Sequence, residues 1–158
     1  MERVVCGRWL LERSMTEEPD QTSAVIEATP GGAALLAWMG GSPNFGDAEL
    51  VALTLDCSGR NLLKLDVETR ARGRREYARV TLVLTDMIDV SLAGFSRQNV
   101  IGGLRLRWAT DRPVHPTHSC TGLGLGDIEI DLKPCFGAFG AIRASLDAIE
   151  VAPKTYDT

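Results

Sequence analysis

Six stretches of this chain alternate apolar and polar residues with a period of two. The clearest are Leu63-Lys64-Leu65-Asp66-Val67-Glu68 and Asp127-Ile128-Glu129-Ile130-Asp131-Leu132. Successive side chains of a strand point to opposite faces, so each stretch has one apolar and one polar face. The pattern predicts an antiparallel sheet covered on one side only. Strands are expected over 50–57, with Val51, Leu53 and Leu55 sharing a face, and over 62–69, the two joined as a hairpin by the Ser58-Gly59-Arg60-Asn61 turn. Val80, Leu82 and Leu84 form one apolar row and Ile88, Val90 and Leu92 another. All six are even-numbered, so both rows fit one long strand with a bend or bulge near Asp86. Further strands are expected over 104–108, 128–133 and 139–151. In the last, Ile142 and Leu146 differ in parity from Ile149 and Val151, which predicts a bulge around Ala148.

Ala24-Val25-Ile26-Glu27-Ala28 reads as a short first strand. Thr29 and Pro30 suit an N-cap and first helical position, and Ala33 to Met39 reads as a short helix stopped by Gly40-Gly41. The expected class is therefore α+β: a mainly antiparallel, twisted sheet of about six to eight strands with one short N-terminal helix. Residues 23–153 are read as a single domain. Residues 1–22 are expected to be a poorly ordered or extra N-terminal segment, with Met15 reading like a natural start, and 154–158 a tail.

The chain has 158 residues, 44% of them hydrophobic and 24% charged, which suits one domain with a real core. A net charge of −4 weighs against nucleic acid as a direct partner, because phosphate binding needs a cationic surface. No apolar run approaches the roughly 18 residues that span a bilayer, and the N-terminus lacks a continuous apolar stretch. A cytoplasmic protein without membrane contact is expected, with its four cysteines as free thiols.

Several local groups have the residue types of chemistry but not its spacing. His115, His118 and Cys120 are three metal-ligand types in a Pro-rich loop, with no other His in the chain to complete a set. The glycines of 122–126 feed a strand rather than a helix N-terminus, so they do not form a phosphate cradle. Cys135 has no local base and is expected to be a buried small hydrophobe. Asp47 and Glu49 read as turn and solvent residues rather than an acid–base pair. No catalytic residue, metal ligand or cofactor is assigned. The basic cluster Arg70, Arg72, Arg74, Arg75 and Arg79 fits a solvated hairpin loop, or a contact to phosphates or an acidic partner, and Arg105 and Arg107 share one outward strand face. The amides and glycines of 94–103 suit an irregular structural corner.

Three segments resemble the immunity protein 50 family of bacterial polymorphic toxin systems. Phe45-Gly46-Asp47-Ala48-Glu49-Leu50 is similar to that family's Phe-His-Asp-Ala-Glu-Val opening. Phe95 to Leu104, with Gln98, Asn99 and Gly103, resembles its Gln-Asn-Val-Ile-x-Gly-Leu corner. Pro134-Cys135-Phe136-Gly137-Ala138-Phe139-Gly140-Ala141-Ile142 resembles its Pro-Cys-Tyr-Gly-x-x-Gly-Thr-Ile ending. Order and spacing also fit, over about residues 34–153. The resemblance implies an α+β fold and neutralisation of a cognate protein toxin by direct binding, without catalysis. Gly46 departs from the family's His, and the 109–126 loop reads as an insertion. The partner surface is expected at Arg72, Arg74, Arg75, Arg105 and Arg107, on the polar sheet face and the 109–126 loop. The competing expectations are a metal- or thiol-dependent enzyme using the 115–120 loop and a structural homo-oligomeric module.

Overall fold

The row Leu63, Leu65 and Val67 is buried as the alternation requires, while Lys64, Asp66 and Glu68 face outward. In the computed structural model, which describes residues 19–109 and 127–155, such rows line a closed ring of six strands. The strands are β1 (Glu49–Thr54), β2 (Asn61–Thr69), β3 (Glu76–Ala93), β4 (Val100–Trp108), β5 (Asp127–Phe136) and β6 (Phe139–Lys154). Their order around the barrel is β1-β2-β3-β6-β5-β4, all pairings antiparallel. Two three-strand meanders, β1–β3 and β4–β6, are thus joined along two seams. The β3–β6 seam is long, running from Tyr77↔Lys154 to Ala93↔Phe139. The β1–β4 seam has a single ladder pair, Glu49↔Val100.

The expected sheet is therefore a closed barrel, and the wet and dry faces become its outside and inside. A six-stranded ring is narrow enough for side chains to fill it. Leu63, Leu65, Leu82, Ile101, Leu106, Ile128, Ile130 and Leu132 do so, each with relative exposure of at most 1%.

Two helices are described, where one was expected: α1 (Thr22–Ala28) and α2 (Gly32–Trp38). Residues 24–28 are α1 rather than a strand. Thr22, Val25, Ile26 and Thr29 are buried together, which is a helical spacing, and the Thr29 hydroxyl donates to the Val25 carbonyl at 2.7 Å. Thr29 consequently ends α1 instead of capping α2, whose N-cap is Gly31. The stop at Gly40-Gly41 is as expected: the Gly41 N–H reaches back to the Leu36 carbonyl at 2.7 Å. Because β1 meets β4 only at its start, the rest of that β4 edge needs other partners. Side chains beside α1 supply them: Thr22 Oγ1 accepts from the Leu106 N–H at 3.0 Å and Gln21 Oε1 from the Trp108 N–H at 2.9 Å.

The two even-numbered rows do share one strand. β3 runs through Asp86, which has φ of 63°, and the register slips between Thr85 and Asp89. The β6 bulge is also present: Val83 faces Ala148 and Leu84 faces Leu146, leaving Asp147 as the extra residue. In β1 the expected row is broken. Leu50 is buried and Val51 exposed, a register shift between Leu50 and Ala52 interrupts the alternation, Leu53 packs half-buried against the core, and Leu55 is exposed beyond the strand's end. Residues 1–18 and 110–126, including His115, His118 and Cys120, lie outside the described residues. No described helix is long and apolar enough to cross a membrane.

Candidate functional site: an arginine-lined cleft and the Asn99 corner

The segments singled out at 45–50, 94–103 and 134–140 meet at the short β1–β4 seam. Asn99 is at the centre and is buried. Its Oδ1 accepts from the Ser96 N–H at 2.8 Å and the Ala138 N–H at 3.1 Å. Its Nδ2 donates to the Ser96 carbonyl at 2.8 Å and, more loosely, to the Leu50 carbonyl at 3.5 Å. The Asn99 carbonyl takes the Leu50 N–H at 2.8 Å. One side chain therefore ties β1, the loop before β4 and the β5–β6 turn. Two further backbone bonds continue the seam, Ile101 N–H to Ala48 O at 2.9 Å and Asp47 N–H to Ile101 O at 3.1 Å.

The glycines of this corner are required by close approach. Gly137 has φ of +85°, and a Cβ there would lie 2.4 Å from the Gln98 carbonyl oxygen and 2.7 Å from Asn99 Oδ1. Gly140, with φ of +135°, would place a Cβ 2.0 Å from the Ser91 carbonyl oxygen. Gly103, in contrast, has room, its nearest such neighbour being Lys133 Cδ at 3.6 Å. Phe45 is buried under the seam, while Asp47 (φ 62°) turns outward and Glu49 is half-buried. Gln98 is exposed, and its carbonyl accepts from the Ser96 hydroxyl at 2.7 Å. Cys135 corrects an expectation, being an exposed free thiol at the end of β5 instead of a buried hydrophobe. Its neighbour Phe136 is 59% exposed, as is Phe95 at 60%.

The arginines divide into two groups. Arg72, Arg74 and Arg75, on the β2–β3 loop, line a cleft of about 800 Å³ with Trp38, Tyr77 and Lys154. Arg105 and Arg107 line a different, smaller cleft with Asp20, Glu129 and Asp131. The five arginines of the expected partner surface thus line two clefts, three in one and two in the other.

In both groups a carboxylate is shared by two cations, but the settings differ. Glu129 takes Arg107 at 2.9 Å and Arg143 at 2.9 Å, bridging β4, β5 and β6. Asp66 takes Arg79 at 2.7 Å and Lys154 at 2.5 Å, bridging β2, β3 and β6. These carboxylates are largely shielded, with side chains 14% and 12% exposed. Burial pushes the Asp66 carboxyl up, but the bonds from Arg79 and Lys154 outweigh it and leave it below the usual aspartate range. Arg105 stands opposite Asp131 in the β4–β5 ladder.

On the loop, Glu76 is 2.9 Å from Arg74 and 3.7 Å from Arg72, and Glu68 is 2.9 Å from Arg70 and 3.1 Å from Arg75. Hydrogen bonding from Arg70 is the main reason the Glu68 carboxyl sits below its ordinary range. The loop guanidiniums are 56–75% exposed, so water competes strongly for them and these pairs exchange easily. Four cations and one carboxylate, Glu76, line the cleft. Trp38, at the end of α2, and Tyr77, at the start of β3, add half-buried aromatic wall.

Sequence reading identified the loop arginines but missed Trp38, Tyr77 and Lys154 as their neighbours. No local signal marks them, because the cleft exists only once the end of β6 lies beside the start of β3. Among the described residues no three His, Cys, Asp or Glu side chains gather in a way that could hold a metal ion. Compared with protein-family models, curated proteins and solved structures, the chain matches none.

Proposed function

We propose that this chain is an immunity protein that binds a cognate bacterial toxin and neutralises it by covering its working surface, without turnover. One observation carries the reading. The three segments that resemble the immunity protein 50 family, separated by 44 and 29 residues, are one knot in space centred on Asn99. Segments that share such a knot have a physical reason to recur together in order. Phe45, Asn99, Gly137 and Gly140 in these segments are structural, because they close the barrel, and we place the partner surface elsewhere.

Occlusion requires roughly 800 Å² of complementary surface on each partner and no reactive groups. A barrel with a filled interior supplies a rigid platform for this, and exposed loop cations supply steering. The test is to purify the chain with the toxin encoded beside it. A 1:1 complex on size exclusion and complete loss of toxin activity at equimolar ratio are expected. Full toxin activity in a several-fold excess of this protein would overturn the reading.

A further inference from the structure

The cleft of about 800 Å³ lined by Arg72, Arg74, Arg75 and Lys154 has a composition that selects a ligand. We propose that it is the docking site for an acidic segment of the partner protein, in which carboxylates flank an apolar side chain. This deepens the reading above and rests on it.

Charge complementarity is the first argument. The chain as a whole is acidic, at −4, yet this cleft is lined by four cations and one carboxylate, Glu76, while Glu68 and Asp66 pair with Arg75 and Lys154 from outside the lining. Arg72, Arg74 and Arg75 are held only by well-hydrated pairs with Glu76 and Glu68, at side-chain exposures of 60%, 75% and 56%. An incoming carboxylate can replace those partners with bidentate contacts while water is displaced. Each guanidinium keeps a counter-charge throughout the exchange, so none is stranded.

The wall chemistry is the second argument. Trp38, Tyr77 and Pro153 line the same space, so a fully polar ligand would leave apolar surface wet. Trp, Tyr and Arg are the residue types in which binding energy concentrates when they share a desolvated pocket. The volume suits one or two side chains of an inserted loop. Nucleic acid is a worse fit. Glu76 stands among the arginines, and the other strand-face cations, Arg107 and Arg143, are engaged with Glu129 instead of extending a phosphate track.

The full chain can be titrated with a labelled twelve-residue peptide of Asp and Glu carrying a central Leu-Phe pair. The controls are its Asn/Gln counterpart and a single-stranded oligonucleotide of equal charge. We expect the acidic peptide to bind at least tenfold more tightly than either, with affinity falling as salt rises. The combined Arg72→Ala, Arg74→Ala, Arg75→Ala variant should lose at least tenfold. Trp38→Leu should lose several-fold at unchanged salt dependence, and Arg105→Ala, in the other cleft, should bind as the parent does. Equal binding of the acidic and neutral peptides, tighter binding of the oligonucleotide, or an indifferent triple variant would overturn the proposal. Toxin protection separates this from the broader reading. A triple variant that protects fully refutes the cleft and leaves immunity intact, whereas a parent that binds the peptide but no neighbouring toxin refutes immunity alone.

Discussion

The Asn99 corner and the arginine cleft are both polar sites on one barrel, and they spend their polar groups in opposite ways. At the corner, a single amide satisfies backbone groups from three segments, and Gly137 leaves no space for another atom. At the cleft, cations outnumber the lining carboxylate and most of the surface of its three arginines faces water. Satisfied, shielded groups hold a fold together, whereas exposed groups with exchangeable partners are available to something else. The strand-face carboxylates Asp66 and Glu129 behave like the corner although their residue types match the cleft. Residue type therefore does not separate the shielded arginines from the exchangeable ones here; exposure does.

The largest effect should come from filling the corner. Gly137→Val combines a positive φ with overlap onto the Gln98 carbonyl, and is expected to destabilise by about 4 kcal/mol or more, or to prevent folding. Asn99→Ala should cost about 2–4 kcal/mol, because it strands the buried Ala138 N–H and loosens β1. Urea denaturation measures both, and a loss below about 1 kcal/mol for Asn99→Ala would show that the corner is not the clasp described here.

Asp66→Asn should have a smaller, pH-dependent effect. The folded carboxyl lies below its ordinary value of 3.8, so its contribution is fully present above that pH and is lost as pH falls through the lowered folded value. Near neutrality the variant should be less stable by about 1–2 kcal/mol. Below about pH 4 the difference should shrink toward zero. Thermal melts at pH 7 and pH 3 check this, and a constant difference would remove Asp66 from the structural group. Smallest should be the stability effect of the Arg72→Ala, Arg74→Ala, Arg75→Ala variant, within about 0.5 kcal/mol of the parent. A large loss would erase the contrast by making the loop a structural element.

Much of the barrel wall was legible because period-two alternation is a local signal. The parity of Val80 through Leu92 gave both the continuity of β3 and its break at Asp86, and the parity slip between Leu146 and Ile149 gave the β6 bulge. Residues 24–28 were misread because five apolar-rich residues fit either a strand or a helix. The deciding pattern needs Thr22 and Thr29, whose polar side chains hide their burial. Closure of the sheet was not legible, since it depends on which strand lies beside β1. The corner was visible as amides and glycines, but its partners at Leu50 and Ala138 were not, and the aromatic half of the cleft was invisible for the same reason. Cys135 was assigned to the interior by its type, yet it falls on the outside where β5 ends.

The β1–β4 junction, joined by one ladder rung, the Asp47 N–H bond to the Ile101 carbonyl and the Asn99 amide, is the thinnest point of an otherwise continuous hoop. A hoop parts where it is thinnest. Amide protons of Leu50 and Ile101 should therefore trade with deuterated water sooner than that of Leu82, which sits in mid-ladder opposite Leu63, although all three side chains are buried. Any ligand that spans that junction would slow their trade and so report its own footprint.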